Sequence, residues 1–283
     1  MSYKSFFKGR DLAIATMHGK ESVIAPLCEN ALGVTCLVPE NFDTDQLGTF
    51  SNEVERTENP IDCARNKCER AMELSGCDIA IASEGSFGNH PNFIFSAADD
   101  EIVMLVDQKH NFEIIGRKLS IETNFGGAQA QHISEAISLA KLYKIGTHAM
   151  IVRDCKNGVD PIYKGLNDLS DFEVAAAAVL ADHNSVWVET DMRAMYNPTR
   201  MSVIKEATQN LLEKVKSTCP ECHAPGFSIK KAIPGLPCKI CNLPTKSALK
   251  HQYECQKCNF QQYQQFPNTI TTESPQFCDF CNP

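Results

Sequence analysis

Four Cys-x-x-Cys motifs near the end of the chain constrain its fold more than any other feature. Each motif supplies two thiolates at the spacing that a tetrahedral Zn²⁺ site requires, and two motifs together complete one Cys₄ site. Iron also fits four thiolates, and zinc is the default for a structural site. The sequence therefore predicts two structural zinc sites, whose ligands are Cys219, Cys222, Cys238, Cys241, Cys255, Cys258, Cys278 and Cys281.

Spacing alone leaves open which motifs combine. We expect sequential pairing, with one ribbon from Cys219 to Cys241 and a second from Cys255 to Cys281. A crossed arrangement, in which the 238/241 motif joins the 255/258 motif, has spacing that is also permitted. In either case no histidine replaces a cysteine, so the sites are predicted to be closed and structural. A segment with so few periodic apolar residues should depend on its metal to fold.

The rest of the chain has the composition of an ordinary globular protein. With 283 residues and 43% hydrophobic content, it is long enough for one sizeable core and a small second module. We expect an α/β domain over residues 1–216 and a double zinc-ribbon module over residues 217–283. Residues after Met1 lack an apolar signal segment, and the longest apolar run, 174–181, is too short to span a bilayer. These features predict a cytoplasmic protein that does not associate with membranes.

The charge of the chain bears on its partners. The net charge is −8, which argues against binding to duplex nucleic acid, because such binding relies on a basic field. The cysteine-rich tail contains no arginine, and this favours a protein partner for the ribbons. Aromatic side chains at Tyr253, Phe260, Tyr263, Phe266 and Phe277 either pack the small ribbon core or stack on single-stranded bases.

A short apolar run marks the centre of the predicted α/β domain. Ile79 to Ala82 is bounded by turn residues, which is typical of a strand buried on both faces of a sheet. We expect a mixed, mostly parallel sheet with flanking helices, in which this strand is central. Glu84 follows at the predicted carboxyl end, where ligands of open α/β sheets bind. Glu84 is therefore a candidate catalytic residue, and the alternative is that it caps a turn.

A helix before this strand is well specified. Asn59 is a predicted N-cap, Pro60 fits the first helical position, and Gly76 fits the C-terminal cap. Glu58 stands just before this helix. It is either a solvated acid that complements the helix dipole or a ligand for a metal ion.

Two arginines near residue 200 form a second candidate group. Asn197 and Pro198 predict another helix start, and Arg193 and Arg200 lie on either side of it. The guanidinium fork matches phosphate and carboxylate oxyanions. The pair therefore forms either a phosphate clamp or an internal ion-pair cluster that locks the last helix.

Several of these segments resemble a known family in the same order. Over roughly residues 11–125, the chain resembles the inosine/xanthosine triphosphatases, which are house-cleaning nucleotide pyrophosphatases. The segments that carry the resemblance are Ala15-Thr16 through Lys20-Glu21, Ala64-Arg-Asn-Lys67, Asp78-Ile-Ala-Ile-Ala-Ser-Glu84-Gly85 and Ile102-Val-Met-Leu-Val-Asp107. As a whole, the chain also resembles a bacterial family that joins such a domain to a Cys-x-x-Cys tail, a resemblance that implies no function.

The triphosphatase resemblance implies an activity and a set of site residues. Those enzymes bind Mg²⁺ and hydrolyse noncanonical purine nucleoside triphosphates. By position, Lys20 would contact phosphate, and Glu58 and Glu84 would hold or activate metal and water. The chain departs from the family pattern at His18, in the first loop, and at Ser86, where a second glycine is usual.

We therefore expect a Mg²⁺-dependent hydrolase that acts on a nucleotide or another phosphorylated small molecule. The alternative is a non-catalytic module that senses nucleotides or binds a protein through its zinc ribbons.

Overall fold

The computed structural model describes residues 3–40, 42, 59–158 and 162–283. The chain divides into two compact units. One is Phe7–Leu212, and the other combines Met1–Phe6 with Glu213–Pro283. In the described ranges, no helix combines the length and the apolar character that crossing a bilayer requires.

The larger unit is built on a five-stranded mixed sheet in the order β2-β1-β3-β4-β5. Its strands are β1 (Asp11–Ala15), β2 (Thr35–Leu37), β3 (Ile79–Asn89), β4 (Ala97–Asp107) and β5 (Phe112–Ser120). Strand β1 pairs in parallel with β2 and β3, whereas the β3–β4 and β4–β5 pairings are antiparallel. The fold is therefore α/β, but the prediction of a mostly parallel sheet is wrong.

Strand β3 is central, as expected, but it does not end at Glu84. It continues to Asn89 and pairs with β4 along its whole length, from Ile79 opposite Asp107 to Asn89 opposite Ala97. The reason is that β4 runs antiparallel beside the residues after Ala82 and forms hydrogen bonds with their backbone N–H and C=O groups. Glu84 consequently lies inside a long hairpin and not at a strand terminus.

Helix α2 (Pro60–Ser75) covers one face of this sheet. The Asn59 side chain accepts hydrogen bonds from the first helical N–H groups, and Gly76 adopts the left-handed conformation at the C-terminal cap (φ 73°). Both features confirm the predicted helix. Its apolar face packs on alternate strand residues in a cluster that includes Ala64, Cys68, Ala80, Ala82 and Met104.

Two further helices flank this first sheet, α1 (Glu21–Leu32) and α5 (Pro198–Lys216), and the last four residues of α5 lie beyond the end of the unit at Leu212. Ile115 of β5 packs against the α2 cluster, and its neighbour Gly116 faces the opposite way, toward α5. A Cβ added at Gly116 would overlap the backbone of Ala207 and Leu211. Helix α5 therefore lies directly on β5, on the face of the sheet that α2 does not cover.

A second sheet in the same unit has the order β6-β9-β7-β8. Its strands β6 (Gly127–Ala130), β7 (Met150–Arg153), β8 (Ile162–Leu166) and β9 (Val186–Thr190) are all paired antiparallel. Helices α3 (Ile133–Leu142) and α4 (Leu169–Asp182) pack on it through a core that includes Ala136, Ala140, Phe172, Ala176 and Val188.

The smaller unit contains a three-stranded antiparallel sheet. Its strands β10 (Ser228–Pro234), β11 (Ala248–Glu254) and β12 (Gln261–Gln265) follow one another in space as they do in the chain. Ser228 lies opposite Glu254, and Pro234 lies opposite Ala248. The start of β10 and the end of β11 therefore lie at the same end of the sheet.

Candidate functional site

Six ionisable side chains are buried together in the larger unit. They are three cations and three acids, each at most 7% exposed: Lys20, Lys67, Arg200, Glu84, Asp99 and Glu101. The acids lie on the β3–β4 hairpin, and the cations come from the start of α1, from α2 and from α5. A buried charge is costly unless a charge of opposite sign or a hydrogen bond compensates it. The contacts of each of these side chains therefore decide which chemistry the cluster can support.

Lys20 lies at the start of α1. Its Nζ donates to the carbonyl oxygen of Ser83 at 3.2 Å and to Ser83 Oγ at 3.0 Å. Burial, followed by the charge of Arg200, lowers the pKa of Lys20 to about 8, against the raising effects of Glu101 and Glu84. This ammonium group therefore titrates in weakly alkaline solution, where binding of an anion would hold it protonated.

Glu84 forms an ion pair with Lys67 of α2, with 2.5 Å between Nζ and Oε1. Both side chains are at most 9% exposed. Because successive side chains of a strand point to opposite faces, Glu84 lies on the α2 side of the sheet and Ser83 on the other. The acid that the sequence singled out is therefore held by a neighbouring helix.

Glu101 and Arg200 form the second buried pair, on the Ser83 side. Arg200 Nε donates to Glu101 Oε1 at 2.6 Å, and the guanidinium group also donates to the carbonyl oxygen of Met192. The same group lies 5.1 Å from the centroid of the Phe87 ring. A Cβ added at Gly85 would overlap both Glu101 and Arg200, so the absence of a side chain at Gly85 makes room for this pair.

Asp99 lies two residues before Glu101 on β4 and shares its face of the sheet. It is completely buried. Burial, reinforced by Glu101, raises the pKa of Asp99 to about 8, against the lowering effect of Arg200. The Asp99 carboxyl group therefore holds its proton more strongly than an ordinary aspartate does. Strongly shifted pKa values of this kind are typical of functional sites.

The structure brings together three of the predicted site residues and separates a fourth from them. Lys20, Glu84 and Arg200 belong to the buried cluster. Arg193 instead pairs with Asp191, with 2.6 Å between Nη2 and Oδ2, and stacks on the Tyr196 ring. Both arginines thus have an acidic partner, which is the ion-pair alternative of the sequence analysis. Glu58 lies outside the described residues.

Sequence reasoning did not assign a role to Lys67, Asp99 or Glu101. A weak signal existed for the two acids, because Asp99 and Glu101 continue the period-two alternation of Val103 and Leu105 onto the buried face. Lys67 was marked only by its place in the Ala64-Arg-Asn-Lys67 segment of the resemblance. It lies in a polar stretch of α2 and is buried in its ion pair with Glu84.

The eight motif cysteines form two groups of four. Cys219, Cys222, Cys255 and Cys258 make one group, and Cys238, Cys241, Cys278 and Cys281 make the other. Opposed sulfur atoms are 3.5–3.7 Å apart in the first group and 3.6–3.8 Å apart in the second. Tetrahedral Zn–S bonds of about 2.3 Å place sulfur atoms about 3.8 Å apart. Each group therefore has the dimensions that hold one zinc ion.

The observed groups overturn the expected pairing of motifs. The first motif joins the third, and the second joins the fourth, so sequential pairing is wrong, and so is the crossed alternative. The reason is the antiparallel sheet. Each strand carries the chain from one end of the sheet to the other, and seven residues span about 20 Å. Consecutive motifs are therefore too far apart to share an ion, and alternate motifs meet.

Local backbone geometry shapes each motif. In the first three motifs the residue after the second cysteine is left-handed, namely His223 (φ 59°), Asn242 (φ 63°) and Asn259 (φ 59°). In all four, the residue at this position donates its N–H to the carbonyl oxygen of the first cysteine. Backbone N–H groups of Cys241 and Ile240 lower the pKa of the Cys238 thiol to about 7. This favours the thiolate that a metal requires.

Comparison with known proteins gives one family. Residues 67–283 match the model of a domain of unknown function, DUF6671. The matched segment begins at Lys67 and contains Glu84, Asp99, Glu101, Arg200 and both cysteine groups, whereas Lys20 precedes it. No curated protein matches the chain.

Proposed function

The chain belongs to the DUF6671 family, and we propose that its larger unit is a Mg²⁺-dependent hydrolase of a nucleoside triphosphate or related phosphoanhydride. One observation carries the proposal. Lys20, Lys67 and Arg200 come from three separate helical segments and meet the acids of one hairpin in a buried cluster. The smaller unit, in this proposal, is stabilised by two structural zinc ions in its Cys₄ groups.

The cations supply what phosphate binding needs. Arg200 offers a planar fork that suits phosphate oxygens, and Lys20 is a compact point charge. An anionic ligand would also favour the protonated form of Lys20, whose pKa of about 8 leaves it partly neutral in weakly alkaline solution. Positioned positive charge in a site shielded from water is the largest usual contribution to phosphoryl transfer.

Glu84 is the candidate general base of this proposal. Its carboxylate lies against Lys67, on the strand residue next to Ser83, whose side chain holds Lys20. The charge of Glu84 also acts on Lys20. In this proposal Glu84, which acts on Lys20 from the other face of the hairpin, orients a water molecule and accepts its proton.

The test uses the zinc-loaded full chain, a panel of canonical and noncanonical nucleoside triphosphates, and Mg²⁺. Release of pyrophosphate or phosphate is followed for the wild type and for Glu84→Gln. We expect turnover of at least one nucleotide, and a fall of about a hundredfold or more in Glu84→Gln, the usual effect of removing a general base.

Glu113→Gln is the matched control. Glu113 forms a half-exposed ion pair with Arg65 on the edge strand β5, so the same chemical change there should leave turnover as it is. The hydrolase proposal fails if no nucleotide is turned over, or if Glu84→Gln and Glu113→Gln have the same activity.

A second candidate function is favoured by the surface around the second cysteine group. Ile240, Phe277 and Phe280 lie within or beside its motifs and are 73%, 61% and 72% exposed. Large apolar side chains exposed together often mark a contact with another protein. The alternative is thus a nucleotide-sensing protein that acts through its ribbons. A nucleotide-dependent rise in Tm without any release of product would support it against the hydrolase.

A further inference from the structure

Asp99 and Glu101 are buried carboxyl groups with uncommon surroundings. Both are completely buried, and they lie on the same face of β4, opposite Phe87 and Gly85 of β3. The intervening residue, Asp100, points to the other face and pairs with Arg117. Asp99 and Glu101 are therefore close neighbours on one buried face of the sheet.

Three of their four oxygen atoms lack a donor. When both groups are ionised, no hydrogen-bond donor among the described residues reaches Oδ1 or Oδ2 of Asp99, or Oε2 of Glu101. A proton on Asp99 allows a hydrogen bond between the two carboxyl groups. The remaining oxygen, Glu101 Oε1, accepts the Nε–H of Arg200. Buried polar atoms are nearly always satisfied in native proteins, and an exception calls for a specific explanation such as a bound ion.

The three oxygen atoms of Asp99 and Glu101 are of one chemical type. They are carboxylate oxygens, which hard divalent cations prefer over nitrogen and sulfur. Arg200 holds Glu101 by one oxygen and leaves the other available, so it fixes the orientation of the second ligand. A side chain at Gly85 would overlap Glu101 and Arg200. The Glu101–Arg200 pair is therefore packed directly against the backbone of β3.

We propose that Asp99 and Glu101 bind a divalent cation of the Mg²⁺ or Mn²⁺ class beside the phosphate-binding cations. Mg²⁺ is usually held by one or two protein carboxylates, with water and substrate phosphates in the other positions. The buried cluster contains three cations and three acids, so a divalent ion adds two positive charges that phosphate oxygens would balance. Its role with phosphate rests on the proposed function, whereas binding of the cation alone does not.

The experiment measures binding of Mn²⁺ to the full chain without nucleotide. The chain is first saturated with Zn²⁺, so that the cysteine groups are filled, and bound Mn²⁺ is followed by electron paramagnetic resonance with Mg²⁺ as competitor. We expect one Mn²⁺ site that Mg²⁺ displaces, and binding about tenfold or more weaker in Asp99→Asn. Asp100→Asn, one residue away on the opposite face, is the matched control and should bind as the wild type does.

The fold of the variants is checked by thermal unfolding without Mn²⁺. Asp99→Asn removes a buried carboxyl group and should be at least as stable as the wild type, and Glu101→Gln provides a second ligand variant. The proposal is overturned if the wild type binds no Mn²⁺, or if Asp99→Asn binds it as tightly as the wild type. Binding that depends on Asp99, in a protein that hydrolyses no nucleotide, would refute the hydrolase and leave the cation site standing.

Discussion

Arg200 on α5 donates its Nε–H to Glu101 on β4 across 2.6 Å, and both side chains are completely buried. The pair joins the last helix of the larger unit to its central hairpin, with Gly85 beneath it and the Phe87 ring beside it. The pair therefore couples the candidate site to the packing of α5 against the hairpin.

Removal of one member of this pair should be strongly destabilising. In Arg200→Met, Glu101 keeps a buried charge without its partner, and the expected loss is about 3–5 kcal/mol in the free energy of unfolding. Urea denaturation measures it. The control is Lys118→Met, which breaks a surface ion pair with Glu206 and should change stability little. Equal effects of the two substitutions would contradict a structural role for the buried pair.

Gly85→Ala should also destabilise the larger unit. The new Cβ would overlap Glu101 and Arg200, and overpacking of this kind costs about 1–3 kcal/mol. Gly88 lies on the same strand with open space where a Cβ would stand, so Gly88→Ala is the matched control. The urea midpoint of Gly85→Ala should be clearly lower than that of Gly88→Ala. Equal midpoints would mean that α5 can move away from the hairpin at little cost in free energy.

Stability should depend on pH through Asp99. The pKa of Asp99 is raised from its ordinary 3.8 to about 8 by burial and by Glu101, so between these values the folded protein holds a proton that the unfolded chain has released. Stability therefore falls as pH rises from about 4 to about 8 and changes no further above this range. The loss should reach a few kcal/mol in buffers free of divalent cations, because one pKa unit corresponds to about 1.4 kcal/mol.

Asp99→Asn tests this dependence directly. The variant has no proton to release, so its advantage over the wild type should be small near pH 4 and largest above about pH 8. Chemical denaturation of both proteins across this range gives the difference. A constant difference at every pH would show that Asp99 does not titrate in the folded protein.

The interleaved pairing of motifs predicts the zinc content of double variants. Each Cys₄ group has the ligands for one ion, so the wild type should contain two. Cys219→Ser with Cys255→Ser damages one group and should leave one zinc per chain. Cys219→Ser with Cys238→Ser damages both groups and should leave none. Sequential pairing would give the reverse result.

Elemental analysis of the purified proteins measures this content. Cys155→Ser is the control, since Cys155 is exposed and lies outside both groups, and it should retain both ions. Removal of zinc with a chelator should unfold the smaller unit, because its sheet has little apolar core apart from the residues around the sulfur atoms.

Local features were predictable from the sequence, and distant ones were not. Helix α2 was predicted from its caps at Asn59 and Gly76, because a cap depends on residues within one turn. Strand β3 was predicted as central from its apolar run, but its extension through Glu84 depends on β4, which begins at Ala97. The partner of Glu84 lies on the preceding helix and that of Glu101 lies 99 residues away, so no pattern within one element identified them.

The sequence by itself determined that eight cysteines would stand in four pairs suited to binding metal, because the two-residue spacing within a motif places both sulfur atoms of that motif together. Only the tertiary structure decided which motifs share an ion, because an antiparallel sheet carries consecutive motifs to opposite ends. In the same way, the sequence contained the acids and cations of the buried cluster. Their convergence results from the packing of α2 and α5 on opposite faces of one hairpin, which no short-range rule encodes.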